Sequence, residues 1–140
     1  MKNTILILLI TFGFAVSIKA QESTPPETGK IYFLRSTGFQ GSAQAFKVFI
    51  DEQFVCKLNN KRYSIHEVAP GKHICSVQFG GKKSKEKAEK FEVMVEPGQS
   101  VYVNVVFETG ILINNTYCEE IPENTATNKM KNMKEDVKCN

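Results

Sequence analysis

The chain has 140 residues, 41% hydrophobic and 24% charged, with 18 basic side chains against 15 acidic ones and a formal net charge of +3. That is material for one globular domain. It excludes a disordered chain, a collagen-like or coiled-coil repeat, a multi-domain enzyme and a polytopic membrane protein, being neither charge-rich, periodic in Gly, nor long enough.

Met1 to Ala20 has the three-part layout of an export signal. Lys2 gives the positive start, ILILLITFGFAV from Ile5 to Val16 the apolar stretch, and Ser17 to Ala20 a small-residue cleavage site before Gln21. The apolar run is shorter than the ~20 residues needed to span a bilayer. A lipoprotein anchor would need a Cys at the cleavage site, and the first Cys is Cys56. The expectation is therefore an extracytoplasmic protein, periplasmic or secreted, with no stable membrane span after cleavage near Ala20. Removing Lys2 and Lys19 with the signal leaves 16 basic against 15 acidic side chains, a net charge of +1. A near-neutral chain lacks the clustered Lys and Arg by which proteins neutralise phosphates, so nucleic acid is not an expected partner.

The remainder divides by composition into a polar, Pro-rich lead-in over 21–29, a core domain over 30–121 and a polar tail over 122–140. In the core domain, apolar residues recur with period two between turn residues. Ile31 to Leu34 is uniformly apolar and predicts a strand buried on both sides. Phe46, Val48 and Ile50 make a second strand, and Asp51-Glu52-Gln53 turns it into Phe54 to Leu58. After Asn59-Asn60-Lys61 come Tyr63 and Ile65, with Ser64 and His66 expected to point outward. Ala69-Pro70-Gly71-Lys72 leads into His73 to Phe79, where Cys75, Val77 and Phe79 share a face. Beyond a lysine-rich loop, Phe91, Val93 and Val95 alternate with Glu92, Met94 and Glu96. Pro97-Gly98-Gln99 then turns into Val101 to Phe107. Ile111 to Ile113 with Tyr117 to Ile121 complete the series. Met130, Met133 and Val137 in the tail have the spacing of a weakly amphipathic helix, expected as a frayed or partly helical extension.

Seven to eight short strands at this spacing, with no helical stretch to carry a parallel crossover, predict an all-β fold, an antiparallel β-sandwich. Export would place Cys56, Cys75, Cys118 and Cys139 where disulfides persist. Four thiols allow three complete pairings, among which sequence does not choose. Cys56 with Cys75 is the candidate favoured by their placement on strands separated by only one other; it would close a loop worth roughly 3 kcal/mol. The alternative makes Cys75 a small buried apolar residue.

IYFLRSTGFQGSAQAFKVFID near the start of the domain and YSIHEVAPGKH further on resemble a bacterial extracytoplasmic family known only as a domain of unknown function. The second half, VFID through VAPGKHICSVQF, is similar to the PEGA-type sandwich module of bacterial surface proteins. The resemblance covers about 29–121. It implies a sandwich and is nearly silent on function. The chain departs from the family pattern at Glu52 and Cys56, where Gly is usual.

Candidate functional residues are few. Arg35 ends the first strand and runs into STGFQGSA, a Gly-containing loop. Loops on a rigid sandwich are where binding residues concentrate. Arg35, Phe39 and Gln40 are therefore the candidate partner-binding residues; alternatively Arg35 pairs with a nearby acid and braces the loop. No Gly-x-Ser-x-Gly elbow, Cys-x-x-Cys or His-x-His supports hydrolase or metal chemistry. The expected function is a non-enzymatic exported module, without cofactor, that binds an envelope component or a protein partner through loops or a sheet edge. The alternative is a small thiol, redox or metal-dependent protein using Cys56, Cys75, Cys118 and His73.

Overall fold

A computed structural model describes residues 27–39, 41–79, 82–83, 90–110 and 114–139. The expected signal, Gln40, most of the lysine-rich loop and Ile111 to Ile113 lie outside the described residues.

Ten strands occur among the described residues: β1 (Gly29–Arg35), β2 (Phe46–Ile50), β3 (Gln53–Leu58), β4 (Arg62–Val68), β5 (Gly71–Phe79), β6 (Lys82–Lys83), β7 (Phe91–Val95), β8 (Ser100–Glu108), β9 (Asn115–Glu120) and β10 (Lys134–Glu135). The period-two segments thus fold as strands. They build two sheets: one in the order β10-β4-β1-β8-β9, the other in the order β3-β2-β5, with β6 and β7 both paired to β5. The all-β sandwich is as the alternation requires.

The inner faces interdigitate in one core. Ile31 and Phe33 of β1, with Val101, Val103 and Val105 of β8, meet Val48, Leu58, Val77, Val93 and Val95 of the opposite sheet, all buried. Turn chemistry sets the registers. Asp51 and Glu52 both take positive φ, 50° and 66°, in the two-residue connection from β2 to β3. Hairpins favour such a turn because its twist matches the strands, though it normally calls for Asn-Gly. Here Asp51 is fixed by its carboxylate, which accepts the Ile74 N–H at 2.8 Å. In Pro97-Gly98-Gln99, Gly98 has φ 71° and the Gln99 N–H donates to the Glu96 carbonyl at 3.0 Å. This is a type II turn, with Pro and Gly at the two positions that need them.

Four expectations are corrected. First, pairing is not wholly antiparallel: β1 and β8 run parallel from Lys30↔Ser100 to Arg35↔Val105, and β10 runs parallel to β4. A parallel neighbour needs a long connection rather than a helix, and the chain between β1 and β8 supplies one through the opposite sheet and β4. Second, Ser64 is fully buried on the sandwich side of β4, while Tyr63 packs on the other face. The first sheet is covered on both faces, so its more apolar face need not be the one turned to the other sheet. Third, the tail is docked. The helix α1 (Glu123–Met130) lies on the outer face of the first sheet, where Ala126, Met130 and Met133 meet Leu34, Tyr63 and Tyr102. It ends at Met130, and Val137 is exposed. Ile31 and Phe33 on one side and Leu34 on the other nevertheless make β1 the doubly buried strand expected.

Fourth, Cys56 is bonded to Cys139, with Cα atoms 4.8 Å apart, and not to Cys75. Cys56 pairs with Val48 of β2, whose other neighbour is β5, so a whole strand separates Cys56 from Cys75. Two strand spacings are about 9.5 Å, beyond the ~7 Å limit for a disulfide. The actual partner lies in a single turn of 3-10 helix, Val137–Cys139, which follows β10. Between them, Asp136 accepts the Asn59 amide at 3.0 Å and donates its own N–H to the Tyr63 carbonyl at 2.8 Å. The chain end thereby closes over the β3 and β4 edges.

The bonded cysteines are 83 residues apart. Replacing both Cys56 and Cys139 with Ala is expected to cost about 4.5 kcal/mol, the chain-entropy value for a loop of this size. Urea unfolding of this variant beside the oxidised wild type measures it; coincident midpoints would contradict the clamp.

Candidate functional site

Of the positions singled out by sequence, Arg35 ends β1 and Phe39 lies in the connection from β1 to β2. Arg35 has no exposed surface. Its Nη1 donates to the Leu58 carbonyl at 2.6 Å and its Nη2 to the Gly41 carbonyl at 2.5 Å. The guanidinium carbon stands 3.6 Å from the centroid of the Phe46 ring, a cation–π contact. Burial pulls the Arg35 pKa from 12.5 down to about 10, so it remains charged at neutral pH. Arg35 is therefore not a ligand-facing group, which corrects the expectation that it joins the binding surface. The bracing alternative holds in its geometry, although both hydrogen-bonding arms end on carbonyl oxygens rather than on an acid.

The loop above it is held at several points. Thr37, buried, donates its hydroxyl to Asn60 Oδ1 at 3.3 Å. The Ser42 hydroxyl and N–H both donate to the Phe39 carbonyl, at 2.7 and 3.3 Å. Gly41 has φ 80°, and a Cβ there would come within 3.1 Å of the Phe107 ring. Glycine is needed at this position both for its backbone conformation and for the close approach. Beneath it, Phe46, Phe79 and Phe107 form an aromatic triad with centroids 4.9 to 5.6 Å apart. At the tip, Phe39 is 96% exposed. Gln40 lies outside the described residues.

A concavity opens between the β3 and β4 edges, a groove of about 600 Å³ whose lining includes Val55, Ile65, Asp51, His66, His73 and the Cys139 end of the disulfide. The period-two reading placed both histidines on strands but missed that the hairpin turn brings Asp51 to His73. His73 Nδ1 lies 2.7 Å from Asp51 Oδ2, and its Nε2 lies 2.8 Å from the Ala69 carbonyl. Burial disfavours charge on this ring. Two acceptors, one an anion, outweigh that and raise the His73 pKa above 6.5. For Asp51, burial acts upward, but the Ile74 N–H and His73 together lower its pKa below 3.8. His66 is pulled below 6.5 by burial; its ring lies edge-on to Phe33 and its Nε2 is 3.0 Å from the Ser64 hydroxyl.

Cys75 and Cys118 are free and buried. Burial pushes the Cys75 pKa up to about 12 and that of Cys118 up as well. A nucleophilic cysteine needs the opposite shift. Among the described residues no group of three or more His, Cys, Asp or Glu side chains is placed to hold a metal ion, and no helix is long and apolar enough to cross a membrane.

The fold and its surface define a small β-sandwich domain with a braced loop and an edge groove. Residues 25–117 match the family described as a protein of unknown function, DUF2846, and the chain belongs to that family. No curated protein matches the chain. The match ends before α1 and Cys139, so the docked tail and one half of the disulfide lie beyond the matched stretch.

The sign of the histidine shifts gives a direct check. A raised His73 pKa contributes stability that is full below pH 6.5 and lost as pH rises through the folded value. A lowered Asp51 pKa contributes stability present above pH 3.8 and lost as pH falls through the folded value. The pair therefore stabilises most between those limits. In an NMR titration the two histidine rings are expected to fall on opposite sides of 6.5, His73 above and His66 below. Asp51→Asn should lower the His73 value and leave His66 in place; an unchanged His73 would refute the pairing.

Proposed function

We propose that the protein is an exported, non-enzymatic β-sandwich module that binds a protein partner at the cell envelope through the loop from Ser36 to Ala43. The observation that carries this reading is Phe39, 96% exposed at the tip of a loop fastened by a buried guanidinium. An aromatic side chain on a pre-ordered loop offers contact area at little entropic cost on binding. Its neighbours Ser36, Thr37, Gly38, Gln40, Gly41 and Ser42 are small or neutral. That composition suits an adaptable protein contact and lacks the basic residues that attract anionic lipid.

The signal-like Met1 to Ala20 and the similarity to a PEGA-type surface module support an envelope setting. Buried, poorly acidic thiols favour a binding role over thiol catalysis. Both rings of the Asp51–His73 groove make hydrogen bonds within the protein, which supports a structural role for the histidines.

Capture from an envelope fraction with immobilised wild type and Phe39→Ala tests the loop. Arg35 stays intact in both, because its loss would disturb the loop itself. A partner recovered by wild type should fall about tenfold or more with the variant, the range of an interface hot spot, at unchanged thermal stability. Equal recovery of every protein would remove the loop from the function.

A further inference from the structure

We propose that Cys75 and Cys118, which the structure holds as two separate buried thiols, are joined in the mature protein as a second disulfide, one that bridges the two sheets across the core. Cys75 lies on β5, the strand of the second sheet that carries β2, β6 and β7; Cys118 lies on β9, the edge of the first sheet. Both point inward and belong to the same buried cluster. The backbones of β5 and β9 approach within 8 Å of each other. Facing sheets ordinarily stand ~10 Å apart, so these two strands pinch toward the distance a disulfide spans. Their thiols are also electrically coupled, since charge on Cys75 raises the pKa of Cys118. Finally, the other two cysteines already form a disulfide, so the chain matures where thiols oxidise, and its four cysteines then leave none over.

Burial dictates when the bridge forms. Within the closed core neither sulfur is a thiolate, so the bond belongs to the folding chain, before the sheets seal. The oxidant is a small-molecule disulfide. One cysteine loses its proton, and the thiolate attacks that disulfide, releasing one small thiol and leaving a mixed disulfide. The second thiolate then attacks the protein-side sulfur, releasing the other small thiol. The protein gives up two electrons and two protons, and the small disulfide takes up both. The product is inert to reductant until the sandwich opens. This bridge is structural and independent of the partner-binding loop.

The test is to denature and reduce the chain, refold it with a mixture of oxidised and reduced glutathione, alkylate in denaturant and weigh it. Two bridges make the refolded chain about 4 Da lighter than the reduced one, with no alkylated cysteine and with peptides joined through Cys75–Cys118. A variant carrying Cys56→Ala and Cys139→Ala isolates the core pair; it should become about 2 Da lighter on refolding. A stable folded product with only Cys56–Cys139 joined, and both other cysteines alkylated, would overturn the proposal. So would any pairing that joins Cys75 to a different cysteine, or a double variant that folds and stays reduced.

Discussion

The Arg35 guanidinium ties the end of β1 to the loop that follows it and to the paired ends of β2 and β3 in the opposite sheet. Its own strand, β1, lies at the centre of one sheet; Leu58, which accepts from it, ends β3 in the other. Phe46, whose ring it covers, begins β2, and Gly41, its second acceptor, belongs to the loop between. A buried cation without a partner would be costly. Here two carbonyl dipoles and an aromatic face replace part of the lost hydration, with the buried Nε left unpartnered, and the demand for them defines where the loop and the end of β3 must sit. The charge persists at neutral pH, because even the lowered pKa of about 10 lies well above it.

At the other exposed margin the same problem is solved covalently. The β3 and β4 edges face each other without a connecting strand, and the tail closes part of that gap. Two residues of β10 extend the sheet, Asp136 binds the turn at Asn59, and Cys139 bonds to Cys56. Because β10 pairs only with Arg62 and Tyr63, the rest of the gap stays open as the groove. Its two histidines are kept in different protonation preferences by their surroundings: acceptors around His73, apolar contacts around His66. The tail thus covers one face of the first sheet through α1 and closes one of its edges, although its polar sequence suggested an extension.

Much of the sandwich was legible because period two is a local signal. Phe46, Val48 and Ile50, or Val93 and Val95, declare their inward face without knowledge of the partner strand. The errors arise where the answer depends on distant residues. Ser64 could be placed inward only by knowing that α1 would cover Tyr63. Cys139 could be chosen for Cys56 only by knowing that the tail returns to β3, since neither spacing nor pattern encodes that path. The parallel β1 and β8 pair likewise results from the route through the opposite sheet. At the candidate loop, sequence placed Phe39 in a loop, and the side chain is exposed there, but the role of Arg35 depended on Leu58 and Phe46, which only folding brings to it.

Arg35 is the joint between the sheets and the loop, and amide hydrogen exchange in wild type and Arg35→Met probes that joint directly. Met keeps much of the buried volume while removing the donors and the charge. If Arg35 fastens the loop, the Ser42 amide and those around Asn60 should exchange more than about tenfold faster in the variant, while amides of β7 change far less. Equal acceleration throughout the sandwich, or no acceleration in the loop, would contradict it.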